Sequence, residues 1–295
     1  MGRARALAAL LLALAGALPA ARGQTSPDPA SALGPAQVAD SARAGGHVRI
    51  AQPAAAPPTY TLKRVNQGIA VDGVIDEIDW ERTAPVYLVS PWAEPGQEGR
   101  NGTAVRMLWD GDSLYVAFVC DDPCLDAAAA GHDAAVHEGD AVEVAVAPDL
   151  DEDRYLAYAM NPRQALLDYA GSLSAGEWPV GTEPRWNSGG VRLAATCPGT
   201  LGDHGDADSG WRLEAAIPLG DFAPLGEGTP PQPGDAWRVG LGRLPGYGGK
   251  HGVWVDPGTP LPGLHAPAAF GTVVFSSELV SKRCKCEPRP HHPLK

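Results

Sequence analysis

Basic residues are scarce in this chain. Its 23 Lys and Arg face 35 Asp and Glu, giving a formal net charge of −12 over 295 residues. No Lys/Arg block occurs outside the short C-terminal tail, so neither nucleic acid nor an anionic membrane surface is an expected partner. Long amphipathic helical patterns are also rare, whereas Gly (36) and Pro (29) are plentiful. That punctuation favours an all-β domain with many turns and unstructured flanks. No G-x-S-x-G, H-E-x-x-H or Gly-rich phosphate loop is present, which removes the common signatures of hydrolase, zinc protease and nucleotide sites. No internal repeat is found, and no apolar run is long enough to span a bilayer. Cysteine is limited to five positions, Cys120, Cys124, Cys197, Cys284 and Cys286. An odd count leaves at least one thiol free or intermolecular, and spacing does not decide whether Cys124 would meet Cys120 or Cys197.

What the chain does have is a clear order of segments. Residues 1–23 carry Arg3 and Arg5, a short apolar run and small residues before Gln24, the pattern of a cleaved export leader. The expected product is secreted, extracellular or periplasmic. Residues 24–58 are mostly Ala, Pro, Ser and Gly, too poor in large apolar side chains to offset the entropy of ordering, and read as a disordered linker. Residues 59–277 read as the folded domain, and 278–295 as a disordered tail. With 44% hydrophobic residues there is ample material for a core.

Within the domain, residues 104–122 give the strongest strand signal. Val105, Met107 and Trp109 alternate with Ala104, Arg106 and Leu108. Asp110-Gly111-Asp112 breaks the run, and Leu114, Val116, Phe118 and Cys120 then alternate with Tyr115, Ala117 and Val119. Both faces are largely apolar, so the hairpin belongs inside a layered structure. Further strands are predicted at 60–65, 69–71, 140–148, 154–161, 164–170, 190–196, 211–217, 235–243, 252–255 and 271–275. Helical turns are expected at 75–80 and 218–225. About a dozen short strands without a long helix predict an antiparallel β-sandwich. Trp80, Trp109, Trp211 and Trp237 fall at core positions, while Trp92, Trp178 and Trp186 sit in Gly- and Pro-rich loops where exposure is plausible.

Seven blocks occur in a fixed order: V-D-G-V-I-D-E-x-x-W (71–80), V-R-M-L-W-D-G-D-S-L-Y-V-A-F-V-C-D-D-P (105–123), E-G-D-A-V-E-V (138–144), Y-x-x-Y-A-M-N-P (155–162), G-W-R-L-E-A-A-I-P (210–218), P-G-D-A-W-R-V (233–239) and H-A-P-A-A-F-G-T-V-V-F (265–275). Together they resemble carbohydrate-binding module family 9, a β-sandwich related to DOMON domains. The resemblance implies binding of a polysaccharide or its chain end and association with glycoside hydrolases. It also implies a site: Trp254 and Asp256 in the W-x-D-P segment, Glu143 on its strand, and His137 where sugar-binding members carry an aromatic. Ala159 replaces a polar residue of the family pattern. The residue chemistry agrees in kind, since sugar rings need flat aromatic faces flanked by charged or amide groups. Glu143 could instead pair with Arg106, Arg212 or Arg238.

Other chemistries draw on other residues. Asp121, Asp122, Asp149, Asp151 and Asp153 place hard oxygen ligands in loops at strand ends, and the resemblance implies structural calcium there. His132 and His137, with Asp133 and Glu138, are a weaker transition-metal pattern. Haem ligation by Met107, Met160 or His137 is the alternative that DOMON relatives bring, and haem is not expected. Asp140 and Glu143 lie three apart on one strand and so face opposite ways, which prevents them from flanking one glycosidic bond. The chain is therefore expected to bind without catalysing.

Overall fold

Asp110 makes the strongest predicted hairpin turn. Its Oδ1 accepts from the backbone N–H groups of Asp112 and Ser113, both at 2.8 Å, and its Oδ2 accepts from the Tyr115 hydroxyl at 2.7 Å. In the computed structural model the described residues are 56–94, 100–148, 153–172, 186–226 and 228–280. The leader, nearly all of the linker, the tail beyond Val280, Asp149, Asp151, Trp178, Cys284 and Cys286 lie outside them, and residues 278–279, predicted as the start of the tail, belong to the last strand.

Among the described residues twelve strands build the fold in chain order: β1 (Thr59–Arg64), β2 (Val86–Val89), β3 (Arg100–Trp109), β4 (Ser113–Cys120), β5 (Ala141–Ala147), β6 (Arg154–Met160), β7 (Leu166–Ser172), β8 (Arg192–Thr196), β9 (Trp211–Pro218), β10 (Ala236–Leu244), β11 (Gly252–Val253) and β12 (Phe270–Leu279). One helical turn, α1 (Ile78–Glu81), carries Trp80 into the interior, and a 3-10 turn spans Leu219–Leu225. Residues 69–71, predicted as a strand, are irregular, and β2 was not predicted. Gly73 in the following turn has φ +83°, a left-handed conformation that glycine adopts without strain.

Two leaves face each other. One runs β7-β6-β5-β10 and the other β3-β4-β9-β8, with antiparallel neighbours throughout each. They are joined twice. The end of β10 meets β11, which meets β2 and then β3. The first half of β10 meets β12, which pairs in parallel with β1, and β1 in turn touches the end of β3. The result is a β-sandwich, as the strand spacing predicts.

The core lies between the leaves and follows the period of two. Val105, Met107 and Trp109 of β3 and Val116 and Phe118 of β4 meet Val142, Val144 and Val146 of β5 and Trp237, Val239 and Leu241 of β10 in one buried cluster. Trp80, Trp109, Trp211 and Trp237 are all buried, as their positions predict. The back of the hairpin is covered as well: Leu108, Tyr115 and Ala117 pack with Val65, Ile69 and Trp80 from the N-terminal segment. A carboxylate organises that cover. Glu214 of β9 is fully buried and accepts from Trp80 Nε1 (2.8 Å) and Gly73 N (2.9 Å).

Candidate functional site

Alternation on β5 turns Glu143 away from the core, toward the outer face of its leaf. Its register partners there are Gly242 and Ala159, two small residues that leave space beside the carboxyl. The segment after Trp254 fills that space. Leu264 occupies the position where a Cβ on Gly242 would stand, at 2.9 Å, and His265 places Nε2 at 3.5 Å from Glu143 Oε1. The Tyr169 hydroxyl donates to Glu143 Oε2 at 3.1 Å, and the Tyr155 hydroxyl lies 2.9 Å from His265 Nδ1, its ring stacked on the imidazole at 5.5 Å. Glu143, Tyr155, Tyr169 and His265 are all buried.

Burial sets the charge states. It pushes the Glu143 carboxyl up to about 8, with the Tyr169 hydrogen bond pulling weakly the other way. It pulls His265 down to about 4. At neutral pH the contact is therefore between two uncharged groups rather than an ion pair. Tyr169 was within reach of sequence reasoning, since it sits two residues beyond Leu167 in the register row Glu143-Ala159-Leu167. His265 belongs to a loop, and no periodicity could have placed it.

Trp254 is 7% exposed and belongs to the core between the leaves. Its ring lies on Gly271, where a Cβ would come within 2.5 Å of it, and its backbone N–H donates to the Leu241 carbonyl at 3.0 Å. Asp256 is exposed and closes its own turn by accepting from Gly258 N at 2.8 Å. His137 is exposed on the short turn Val136–Glu138. The structure thus places Trp254 and Glu143 inside, and His137 and Asp256 outside; the four do not form one open face. Glu143 meets Tyr169 and His265, not the arginines that strand parity offered.

The open aromatic surface nearby belongs to Trp92. Trp92 is half-buried against a cluster that includes Ala159, Val253 and Leu264, and its Nε1 donates to the Thr259 carbonyl at 2.9 Å. It lines a groove of about 430 Å³ with Glu94, Lys250, His251, Pro260, Leu261 and neighbouring backbone. The groove uses the segment beyond Trp254 as one wall and residues 248–251 as another. His251 Nδ1 is buried without a hydrogen-bond partner, and burial holds this imidazole below its ordinary value. Trp186, the other described loop tryptophan, packs edge-on against Tyr158 at 5.9 Å.

Behind the groove a charged network ties surface loops to the sheet. Arg243 has the parity of Trp237, Val239 and Leu241, so it points inward, where its Nη2 donates to Asp122 (2.5 Å) and Asp140 (3.1 Å) and its guanidinium lies over Trp211 at 5.3 Å. Burial holds Asp122 up at about 6, with Cys124 N and Arg243 opposing and Asp140 adding to the rise. Asp140 also accepts from Asp126 N (2.9 Å) and Gly246 N (2.8 Å).

This bears on calcium. Asp122 is committed to Arg243 and to Cys124 N, Asp121 is exposed at the end of β4, and Asp153, which accepts from Ser172 Oγ, precedes β6 in the other leaf. Among the described residues, His132, Asp133 and Asp168 have donor atoms within 4.8 Å of one another. Two carboxylates and an imidazole give fewer oxygens than calcium takes, and Asp168 is already satisfied by His132 Nε2 (2.8 Å) and Ser188 N (2.6 Å). Met107 and Met160, the sulfur ligands of the haem alternative, are fully buried in the apolar core, whereas His137 is exposed.

Comparison with known proteins agrees with this architecture. A candidate carbohydrate-binding protein from Bacteroides uniformis shares the fold with a TM-score of 0.58 at 20% identity, over 75% of this chain and all of that one. A carbohydrate binding module family 9 from Caldicellulosiruptor kristjanssonii, in complex with cellotriose, gives a TM-score of 0.47 at 16% identity over 80% of this chain and 100% of its own. The same module with glucose gives 0.47 at 15% identity, covering 79% and 100%. No curated protein matches the sequence. The family model described as carbohydrate family 9 binding domain-like matches residues 71–237, more than half of the 295, and the chain belongs to that family.

Proposed function

We propose that this chain is a secreted, noncatalytic carbohydrate-binding module and that its ligand lies in the groove beside Trp92. Family membership supplies the ligand class. The observation that carries the location is the half-buried Trp92, which lines a groove of about 430 Å³, a size typical of small-ligand sites. An indole face suits the C–H groups of a pyranose ring, while Glu94 and Lys250 offer an acceptor and donors to ring hydroxyls. Trp254 and Glu143 support the loop that walls the groove.

Asp140 faces the core and holds Arg243, whereas Glu143 faces outward beneath His265, so the two carboxyls do not share a cleft. A module of this kind would serve polysaccharide-degrading enzymes by holding substrate near them, with a glycoside hydrolase as the partner class. Calorimetric titration of the mature chain with β-glucan and xylan oligosaccharides tests the reading. Trp92→Ala is expected to weaken binding at least about tenfold while the variant, less stable for the lost packing and the lost Thr259 hydrogen bond, stays folded at the titration temperature. Equal affinity in that variant would remove the groove from the site.

A further inference from the structure

We infer that the sugar site continues past the groove onto a second aromatic platform formed by Tyr247 and His204, so that the module takes a glycan chain and not only a single residue. The inference rests on the reading of the Trp92 groove and extends it. Tyr247 is 62% exposed, among the most exposed large side chains described, yet its ring is not loose. It stacks on His204 with centroids 4.2 Å apart and planes 13° from parallel. One face of the phenol ring is thus backed by imidazole and the opposite face is open.

The platform's base is fixed from beneath. The backbone N–H of Gly246, the residue before Tyr247, donates to Asp140 Oδ1 at 2.8 Å, and the backbone N–H of Asp126 donates to Asp140 Oδ2 at 2.9 Å. Asp140 is itself held by Arg243 and is 1% exposed. A Cβ at Gly246 would come within 2.9 Å of that carboxylate, so glycine is what lets the loop sit so close. Asp126 carries the network to the surface, with Oδ2 3.9 Å from His204 Nε2. A buried arginine with two buried carboxylates is a costly arrangement. Here it clamps two loops that together present an aromatic face beside a carboxylate, the pairing a sugar ring needs.

Continuity selects the occupant. Gly248, next to Tyr247, begins the wall of the Trp92 groove that runs through His251. Tyr247 is outside the groove lining but adjoins it through Gly248, so a chain too long for the groove has this exposed ring as a neighbouring surface. A neutral, hydroxyl-rich chain fits an aromatic surface with Asp126 at its rim better than an anionic one does.

The test separates this inference from the groove reading by chain length. β-1,4-linked gluco- and xylo-oligosaccharides, from disaccharide to hexasaccharide, are titrated into the parent and three variants. Tyr247→Ala is expected to weaken hexasaccharide binding about tenfold and leave the disaccharide unchanged, whereas Tyr247→Phe retains both. Trp92→Ala weakens both lengths. If Tyr247→Ala binds the hexasaccharide as the parent does, the platform is overturned and the groove stands. Loss with Tyr247→Ala but not with Trp92→Ala would keep the platform and overturn the groove, and a parent that binds no length would remove both. Because Tyr247 is a surface side chain, an unchanged melting temperature shows that the loss is not unfolding.

Discussion

Glu143 shows what one side chain can do when its strand direction and its cover disagree. Alternation sends it to the outer face, and His265 and Leu264 then close over it. Its ordinary value of 4.5 rises to about 8 in the fold. Across that interval the folded state keeps a proton that the unfolded chain releases, so stability falls as pH rises. His265 acts in the opposite sense, with an ordinary value of 6.5 lowered to about 4, and its contribution is lost as pH falls through that range. Between 6.5 and 8 only the Glu143 effect remains. Glu143→Gln, which keeps the shape and an acceptor for Tyr169, is expected to gain roughly 2 kcal/mol relative to the parent between these pH values. Thermal melts across pH measure it; a difference that does not vary with pH would show that another group titrates. The family pattern made Glu143 legible as a special residue. Its burial was not legible, because the residues that bury it come from a loop without periodicity.

Elements were read best where two apolar faces had to be covered. The β3–β4 hairpin was placed at its turn and along both strands from Ala104 to Cys120, because a period of two leaves little choice there; β3 itself starts earlier, at Arg100, and which of its two apolar faces meets the opposite leaf was not read. The segment at 69–71 failed for the converse reason: its apolar residues cap the back of the hairpin without pairing. Strand β2 was missed because four residues flanked by prolines look like a loop, and only its partners β3 and β11 make it a strand. Parity also held a signal that went unused. Arg243 follows Leu241 by two, so an inward arginine was predictable, as was its need for carboxylate partners. The packing of β12 on Trp254 gives a direct test of that tryptophan's role. Gly271→Ala would drive a methyl group into the indole and is expected to cost about 1–3 kcal/mol, read as a lowered melting temperature. An unchanged melting temperature would mean that the ring can move aside and that its seat on Gly271 is not fixed.

At the scale of the whole molecule, fold class was the most secure reading, since a dozen strands without long helices allow few architectures. How the leaves are joined was not legible: nothing local in β1 says that it will pair with β12, more than two hundred residues away. That pairing has a mechanical consequence. β1 and β12 run parallel, from Thr59↔Thr272 to Arg64↔Leu279, so the chain preceding β1 and the chain following β12 leave from opposite ends of the pair. Tension between those two attachments slides one strand along the other and loads every bond of the ladder together. Arg154 and Ser172, by contrast, are register partners at one end of β6 and β7, and tension between them peels that hairpin one bond at a time. Single-molecule pulling should need a higher force through residues 59 and 279 than through 154 and 172. Equal forces would show that the β1–β12 seam bears no load. A domain held by the chain on both sides would carry any pull between those attachments along this seam.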